Sequence, residues 1–298
     1  MSEGRKHPLG YVLAMTLLLL AMAGTALTAV ASHSHRRAIA AVRAQEGLQR
    51  RWGGITCADA LLPRAPQLVE AIRQRPRAEA ETAPDRGAFA LQLGGQTFVV
   101  SAYDEQAKVN LNTLTSRLGG GGAGFEGAVR AVMGKDAPAL RLLPKRVTET
   151  DEAGKQHERM EFASYGQVFG DAPAAVLMGR GKSPGLAAAV TCWGDGRLNV
   201  EHASPAAVAG LCATVLEPKE FEKFRRAQER APTRKWDQLF MELKFMPERE
   251  KAMKELITTT SSCHTLWVVA DATGRPAYRM AVIGSAADGE GSVETFEW

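Results

Sequence analysis

The pattern of apolar and polar residues is most pronounced near the start of the chain, where one long apolar run lies. From Tyr11 to Ala31 there are 21 residues with no charge and no proline. At about 1.5 Å per residue, a helix of that length spans roughly the 30 Å hydrocarbon core of a bilayer. Arg5 and Lys6 precede the run and favour a cytoplasmic N-terminus. We predict a single-pass membrane anchor centred on Leu17, Leu18, Leu19 and Leu20.

A cleaved secretory signal peptide also begins with basic residues and an apolar core. Two features argue against it here. The apolar run is longer than the roughly 7–15 residues of an ordinary signal core. Ala29-Val30-Ala31 has the spacing of a cleavage site, but basic sequence with helical character follows it directly. The apolar helix is therefore predicted to be retained in the mature protein.

Helical spacing of apolar residues continues beyond the anchor to about Arg51. A helix from Tyr11 to Arg51 would be about 60 Å long. Trp52-Gly53-Gly54 is predicted to break or bend it. The stretch from Ala58 to Gln74 predicts further helix, jointed by its two prolines, and the polar stretch 75–85 predicts a loop. The apolar residues beyond the anchor are Ala38, Ile39, Ala41, Val42 and Leu48.

Alternating residues predict strands early and late in the chain. A hairpin turns at Gly94-Gly95, between Phe89–Leu93 and Phe98–Val100. Strands are also predicted at Leu266–Ala270 and Tyr278–Ile283, with the turn at 271–275. Amphipathic helices lie between the two groups of strands. They are predicted from near Leu114, at Glu217–Glu229, at Lys235–Met241 and at Glu248–Ile257.

This order predicts an α+β fold. A long N-terminal transmembrane helix would pack on a small antiparallel sheet, and an all-α domain would be inserted in the sheet sequence. The predicted divisions are a spine helix at 11–51, a head at 52–104 and 258–298, and the inserted helical domain at 105–257.

Composition limits the function classes. A chain of 298 residues, of which 45% are hydrophobic, can bury the core of one or two domains. The formal charge of +4 is too small to indicate nucleic-acid binding without a focused patch. Arginines do cluster just beyond the apolar run, and we interpret them as a solvated helix face near lipid headgroups. They are Arg36, Arg37, Arg43, Arg50 and Arg51.

The cysteine spacing gives no zinc motif, because no CxxC is present. Outside the cytoplasm, four cysteines allow two disulfides with three possible connectivities, and the sequence does not choose among them. The four are Cys57, Cys192, Cys212 and Cys263.

Motifs for phosphate binding and catalysis are incomplete. The four glycines at 119–122 are not followed by Gly-Lys-Ser/Thr, and Gly181-Lys182-Ser183 lacks the required glycine because Val176 stands there. His157, His202 and His264 occur singly, without a metalloprotease or nucleophile-elbow context. We predict that the protein is not an enzyme.

A short motif occurs twice, as Lys108-Val-Asn-Leu-Asn and Arg197-Leu-Asn-Val-Glu. Asn110 and Asn112 are predicted to help cap the helix that begins near Leu114. Ser204, followed by Pro205, is a predicted N-cap, and Asn199 is predicted to tie the preceding extended segment to that helix start.

The basic leader, the glycine at position 10 and the apolar run together resemble the class III signal of type IV pilins and pseudopilins. The resemblance implies that a prepilin peptidase cuts between Gly10 and Tyr11, removing residues 1–10 as a leader. The family's glutamate at the fifth mature position is absent, since Met15 stands there, and Tyr11 replaces the more usual phenylalanine, methionine or leucine. Absence of that glutamate suits a subunit at the end of a filament.

Four further stretches resemble the K-type minor pseudopilin of the bacterial type II secretion system, in the family's order. Two departures are that Glu201 and His202 replace the usual Asn-Thr of the second motif, and that the insert looks shorter than is typical. The stretches are DEQAKVNLNT at 104–113, FASYGQVFG at 162–170, WGDGRLNVEHASPAAVAGL at 193–211 and TTTSSCHTLWVV at 258–269.

The resemblance implies a tip subunit of a periplasmic pseudopilus, anchored in the inner membrane with its head in the periplasm. Its partners would be I- and J-type minor pseudopilins, the major pseudopilin and the prepilin peptidase, and Tyr11 would be open to N-methylation. Some relatives bind calcium, for which solvated carboxylates are the alternative interpretation. The possible ligands here are Asp104, Glu105, Asp195 and Glu201.

An alternative is a membrane-tethered, helix-hairpin-helix-like DNA-binding protein. Such proteins also carry an Asn-Val-Asn-Thr-Ala entry, and they hold phosphate with the free amides of a Gly-hydrophobic-Gly hairpin. After Leu211 this chain reads Cys-Ala-Thr-Val-Leu-Glu-Pro, which lacks the hairpin.

Overall fold

The structure, a computed structural model, describes residues 9–74, 88–118, 123–133, 140–150, 156–179, 185–230, 236–270, 277–285 and 291–297. The chain divides after Trp52 into two units. The helices are α1 Leu9–Leu61, α2 Ala65–Arg73, α3 Leu111–Leu118, α4 Ala123–Met133, α5 Tyr165–Phe169, α6 Ala174–Met178, α7 Pro205–Cys212, α8 Pro218–Arg230, α9 Trp236–Leu243 and α10 Pro247–Leu256.

The strands are β1 Ala88–Leu93, β2 Gln96–Asp104, β3 Val109–Asn110, β4 Lys145–Thr150, β5 Gln156–Glu161, β6 Val190–Thr191, β7 Leu198–Asn199, β8 Ile257–Thr258, β9 Cys263–Ala270, β10 Ala277–Ser285 and β11 Gly291–Glu297.

The first unit consists of the helical residues of α1 up to Trp52. By length and composition, this helix is apolar enough to cross a membrane. The leucines at 17, 18, 19 and 20 are between 58 and 68% exposed, as expected for side chains that face lipid. The hydroxyls of Thr16, Thr25 and Thr28 donate to backbone carbonyls three or four residues earlier. Those polar groups are thereby satisfied inside the helix, which a hydrocarbon environment requires.

The sequence predicted a break or a bend at Trp52-Gly53-Gly54, and the break was wrong, because α1 continues to Leu61. Gly53 instead allows a close contact. A Cβ at Gly53 would lie 2.2 Å from Cζ of Phe98, so only glycine lets the aromatic ring of β2 reach the helix backbone. The predicted joint does occur nearby, where a 3₁₀ turn at Leu62–Arg64 separates α1 from α2.

The main sheet has five antiparallel strands in the order β1-β2-β9-β10-β11. The hairpin predicted around Gly94-Gly95 is confirmed, and both glycines have positive φ, 58° and 76°, as a tight hairpin turn requires. The predicted strands β9 and β10 are also confirmed. The edge strand β11 was not predicted.

In the second unit, the two faces of the central strands of this sheet are buried against different layers. Residues Phe98, Val100 and Ala102 of β2, with Leu266 and Val268 of β9, share a core with the last turns of α1 and with α2. The side chains at the alternating strand positions point to the other face and pack in the core of the insert; they include Tyr103, Trp267 and Met280. This division follows the two-residue period of strand side chains.

The α+β class is confirmed, with a helical block in sequence between the neighbouring strands β2 and β9. The helices predicted around 217–229, 235–241 and 248–257 appear as α8, α9 and α10. The block departs from the expected all-α composition, because β4 and β5 form an antiparallel hairpin within it. Two short parallel pairs, β3 with β6 and β7 with β8, also lie there.

Some sequence predictions lie outside the described residues. These are most of the leader, the loop at 75–85, the glycine run at 119–122 and the turn at 271–275.

Candidate functional site

Buried polar residues concentrate where the insert leaves and rejoins the sheet. Asp104 ends β2, and Glu105 and Gln106 lie in the following 3₁₀ turn; the three are 6%, 0% and 2% exposed. The returning chain brings Ser261, Ser262 and Thr265 to the same place. We call these six residues the junction. Because buried polar groups are costly without partners, their bonds define how the insert is held.

Asp104 lies at the centre of the first set of bonds. Its Oδ2 accepts from Ser261 Oγ at 2.6 Å and from Asn199 Nδ2 at 3.3 Å, and it contacts His202 Nδ1 at 2.6 Å. Desolvation by burial raises the pKa of Asp104. The hydrogen bonds from His202 and Ser261, with the positive charge of His264 and His202, outweigh it, so the pKa of Asp104 lies below its usual value.

Glu105 lies at the centre of the second set, on the insert face of the sheet. Its Oε1 accepts from Lys108 Nζ at 2.5 Å and from the Thr265 hydroxyl. The Tyr165 hydroxyl lies 3.5 Å from Oε2. The Lys108 side chain is 4% exposed, and its ammonium lies 4.9 Å from the centre of the Tyr103 ring. Glu105 and Lys108 therefore form a fully buried ion pair with further polar and aromatic support.

Gln106 completes the junction. Its Nε2 donates to Asp195 Oδ1 at 2.5 Å, while its Oε1 accepts from the Ser262 hydroxyl at 3.0 Å and from the Ser262 backbone amide. Three consecutive side chains thus each bind a different hydroxyl residue of the returning chain, about 156–160 positions away.

The first Asn motif starts a helix, although not where the sequence predicted. Asn110 Oδ1 accepts from the backbone amides of Asn112 and Thr113, so α3 begins at Leu111 and not near Leu114. Asn112 lies inside the helix. Its side chain accepts from the Phe162 amide and donates to the Phe162 and Cys192 carbonyls. It therefore holds three segments of the insert together.

The second Asn motif uses similar chemistry. Asn199 donates to Ser261 Oγ at 2.7 Å and accepts from the Glu201 amide at 3.2 Å. Ser204 is the N-cap of α7, with its Oγ accepting from the Ala207 amide at 3.1 Å. His202, which with Glu201 replaces the usual Asn-Thr of this motif, contacts Asp104 of the junction.

The processing residues lie at the other end of the chain. Gly10 and Tyr11 are the second and third residues of α1, and Tyr11 is 67% exposed. Cleavage at their bond stays a prediction.

The four possible calcium ligands do not form one site. Asp104, Glu105 and Asp195 are each engaged by hydrogen bonds from the chain itself. Over the described ranges, no three or more His, Cys, Asp or Glu side chains are grouped as a metal site would need. Calcium binding stays untested.

All four cysteines lie in described segments, where each is a buried free thiol. Burial raises the pKa of Cys57, Cys192, Cys212 and Cys263, which keeps each in its unreactive thiol form. The structure therefore contains none of the three disulfide pairings that the sequence allowed among these four cysteines.

A serine, a histidine and an aspartate, the residue types of a catalytic triad, meet at the junction. A nucleophilic serine must donate to the base that activates it. Here Ser261 donates to Asp104, and His202 contacts the same carboxylate oxygen. The arrangement fixes loops and lacks the serine–histidine contact of a catalytic triad.

Acid should weaken the junction in two steps. Burial lowers the pKa of His264 below its ordinary 6.5, against the opposing charges of Asp104 and Glu105. The unfolded chain therefore binds the extra proton first, and stability should fall as pH drops below about 6.5. Asp104, with its pKa held below 3.8, adds a second loss as pH falls through its folded value. Urea unfolding of the detergent-solubilised full chain at several pH values measures both.

A His264→Gln variant should remove the first step, and Asp104→Asn should remove the second. Because each group shifts the pKa of the other, each variant should also move the pH of the remaining step. His35→Gln, at an exposed position of the first unit, is the matched control and should leave the profile unchanged. An unaltered first step in His264→Gln would contradict the assignment.

Sequence reasoning missed the returning half of the junction and two residues that lie beside Glu105. Ser261, Ser262 and Thr265 were not singled out as functional, and neither were Lys108 and Tyr165. The available signal was a run of hydroxyl residues, Thr258 to Ser262, directly before an apolar strand, together with Asp-Glu-Gln directly after another. Either run alone is typical of a loop.

Similarity to known proteins was found in the comparison with solved structures. No protein-family model and no curated protein matches the chain. One similar solved structure is a chain of the GspK-GspI-GspJ complex from the enterotoxigenic Escherichia coli type 2 secretion system. The identity is 15%, the TM-score is 0.46, and the match covers 85% of this chain and 99% of that one.

Proposed function

We propose that the protein is a minor pseudopilin that sits at the tip of a type II secretion pseudopilus, where it starts or caps assembly. The observation that carries the proposal is that one helix, α1, contains both an uncharged 21-residue run and, at Gly53–Leu61, part of the core of the sheet domain. A discarded signal peptide would not share a helix with the core of the mature head.

The order of motifs supports the K-type assignment within this proposal. The Asp104–Gln106 stretch, Asn199 of the second Asn motif and the hydroxyl residues at 261–265 fasten the insert between two neighbouring strands. The first Asn motif holds segments of the insert together. A large insert held by buried bonds suits a subunit above which nothing stacks. Met15, in place of the family's glutamate, leaves no acidic side chain in the apolar run for pairing with a neighbouring N-terminal amine.

The proposal carries several finer claims. The N-terminus is cytoplasmic, the head lies in the periplasm, and the partners are I- and J-type minor pseudopilins and the major pseudopilin. The role is assembly and not catalysis, and DNA binding is not favoured.

The deciding experiment is mass analysis of the N-terminus of full-length protein extracted from membranes that contain a prepilin peptidase. We expect a mature chain that begins at Tyr11, and Gly10→Val should abolish that cleavage because the peptidase requires the glycine. A mature chain that begins near Ser32 would refute the proposal.

Gly24→Ala is the matched control for that experiment. Gly24 lies in the same helix, and a Cβ there would meet no atom within 4 Å. Cleavage of Gly24→Ala should match the wild type. Loss of cleavage in both variants would point to damage to the helix and would count against a specific peptidase site.

A further inference from the structure

We propose that His33, His35, Arg36 and Arg37 form a girdle that binds the phosphates of anionic phospholipids at the C-terminal end of the membrane span. We call these four residues the arginine girdle. The inference rests on the membrane anchor of the proposed function, and goes beyond it by naming a lipid class.

The depth of the girdle matches the headgroup layer. The apolar run ends at Ala31, and the Ser32 hydroxyl that follows donates to the Ala29 carbonyl at 2.9 Å, inside the helix. The headgroup region is roughly 5–8 Å thick on each side, or about four to five residues of helix. Residues 33–36 lie about 3–7.5 Å beyond Ala31 and so fall within that layer, and Arg37 lies about 9 Å beyond Ala31, from where its long side chain can reach back into the layer. Arg43 lies about 18 Å beyond Ala31 and so lies outside the layer.

The directions of these side chains also fit a lipid layer. At about 100° per residue, Arg36, Arg37 and His35 leave the helix in three different directions. A lipid layer surrounds the helix, so groups in several directions can all be used. By contrast, Arg36, Arg43 and Arg50 recur every seven residues and share one side of the helix, as a single protein partner would need. The girdle is therefore better suited to lipid than to one acidic protein surface.

The charges of the girdle are available for a ligand. All four side chains are exposed. The single acidic residue of 9–52 is Glu46, and it pairs with Arg50 at 3.2 Å. Arginine presents a planar set of donors that binds phosphate oxygens in pairs, and anionic lipid surfaces attract basic side chains beside a span. Arg36 and Arg37 therefore provide the main binding energy, with the histidine rings as additional donors.

The test measures how tightly phosphatidylglycerol binds full-length protein in phosphatidylcholine nanodiscs, by native mass spectrometry of retained lipids. We expect wild type to retain phosphatidylglycerol, and Arg36→Gln with Arg37→Gln to weaken its binding about 25-fold, at about fivefold for each arginine. Arg43→Gln with Arg51→Gln removes the same charge beyond the headgroups and should change binding less than threefold.

Three outcomes would overturn the girdle. They are unchanged lipid binding in the Arg36/Arg37 variant, equal losses in the two double variants, and an altered capture of an acidic protein with unaltered lipid binding. Flotation of the protein with membranes after an alkaline wash separates this inference from the anchor. Wild type that fails to float overturns anchor and girdle together, whereas variants that float without losing lipid preference overturn the girdle alone.

Discussion

The Lys108→Met variant should lose about 3–5 kcal/mol of unfolding free energy, because it leaves the Glu105 carboxylate buried without its counter-charge. Glu105 is fully buried, and the Lys108 ammonium lies 2.5 Å from its Oε1. The Thr265 hydroxyl remains as a hydrogen-bond donor to Glu105, but it does not supply a positive charge. Urea unfolding of the full chain in detergent, followed by tryptophan fluorescence, measures the loss.

Two further variants make this prediction specific. Glu105→Gln combined with Lys108→Met removes both charges and should recover most of the loss, since replacing a whole buried pair is often close to neutral. Lys254→Met makes the same substitution in an exposed pair with Glu250, and should cost less than about 1 kcal/mol. A Lys108→Met loss no larger than that of Lys254→Met would contradict the buried-pair interpretation.

Two adjacent glycines of α1 should respond in opposite directions to the same substitution. At Gly53, an added methyl would lie 2.2 Å from Cζ and 2.8 Å from Cε2 of Phe98, whose ring is fully buried. Overpacking of this kind costs about 1–3 kcal/mol. At Gly54, a Cβ would meet no atom within 4 Å, so alanine there should gain up to about 1 kcal/mol from helix propensity.

The difference between Gly53→Ala and Gly54→Ala is the measurement that matters, because both changes alter the unfolded chain equally. We expect a difference of about 2–4 kcal/mol in urea unfolding of the full chain. A Phe98→Leu change should relieve part of the Gly53→Ala cost. Equal effects at the two glycines would mean that the helix and the sheet do not approach as described.

Local patterns were enough to predict the elements whose signal is local. The alternating residues around Gly94-Gly95 give the hairpin, and the proline pair near Leu62 gives the joint between α1 and α2. The strand β11 was missed because its exposed residues, Ser292 to Thr295, carry little apolar alternation. The hairpin of β4 and β5 is similarly polar.

Features that depend on distant partners could not be predicted in this way. A glycine at position 53 is compatible with a helix break or with a close approach of another element. The close approach is by Phe98, which lies 45 positions away in the sequence, so the local pattern could not reveal it. Asp104, Glu105 and Gln106 look like loop residues until the hydroxyls near 261–265 lie beside them. The first Asn motif correctly predicted that an asparagine caps the helix, since Asn110 does so. The bonds of Asn112 to Phe162 and Cys192 join residues far apart in sequence and could not be predicted from the local pattern.

The arginine girdle should limit displacement of the anchor along its own axis. Sliding toward the N-terminal side would drag Arg36 and Arg37 into hydrocarbon, where each costs up to about 2.5–3.5 kcal/mol at the centre. Sliding the other way moves the alanine and valine residues of the last apolar turn into the headgroups, at no more than about 0.6 kcal/mol each, but it also draws the charged N-terminal end of the span into hydrocarbon. The span is therefore fixed in depth by charges at both of its ends, and the girdle supplies those on the side of the head.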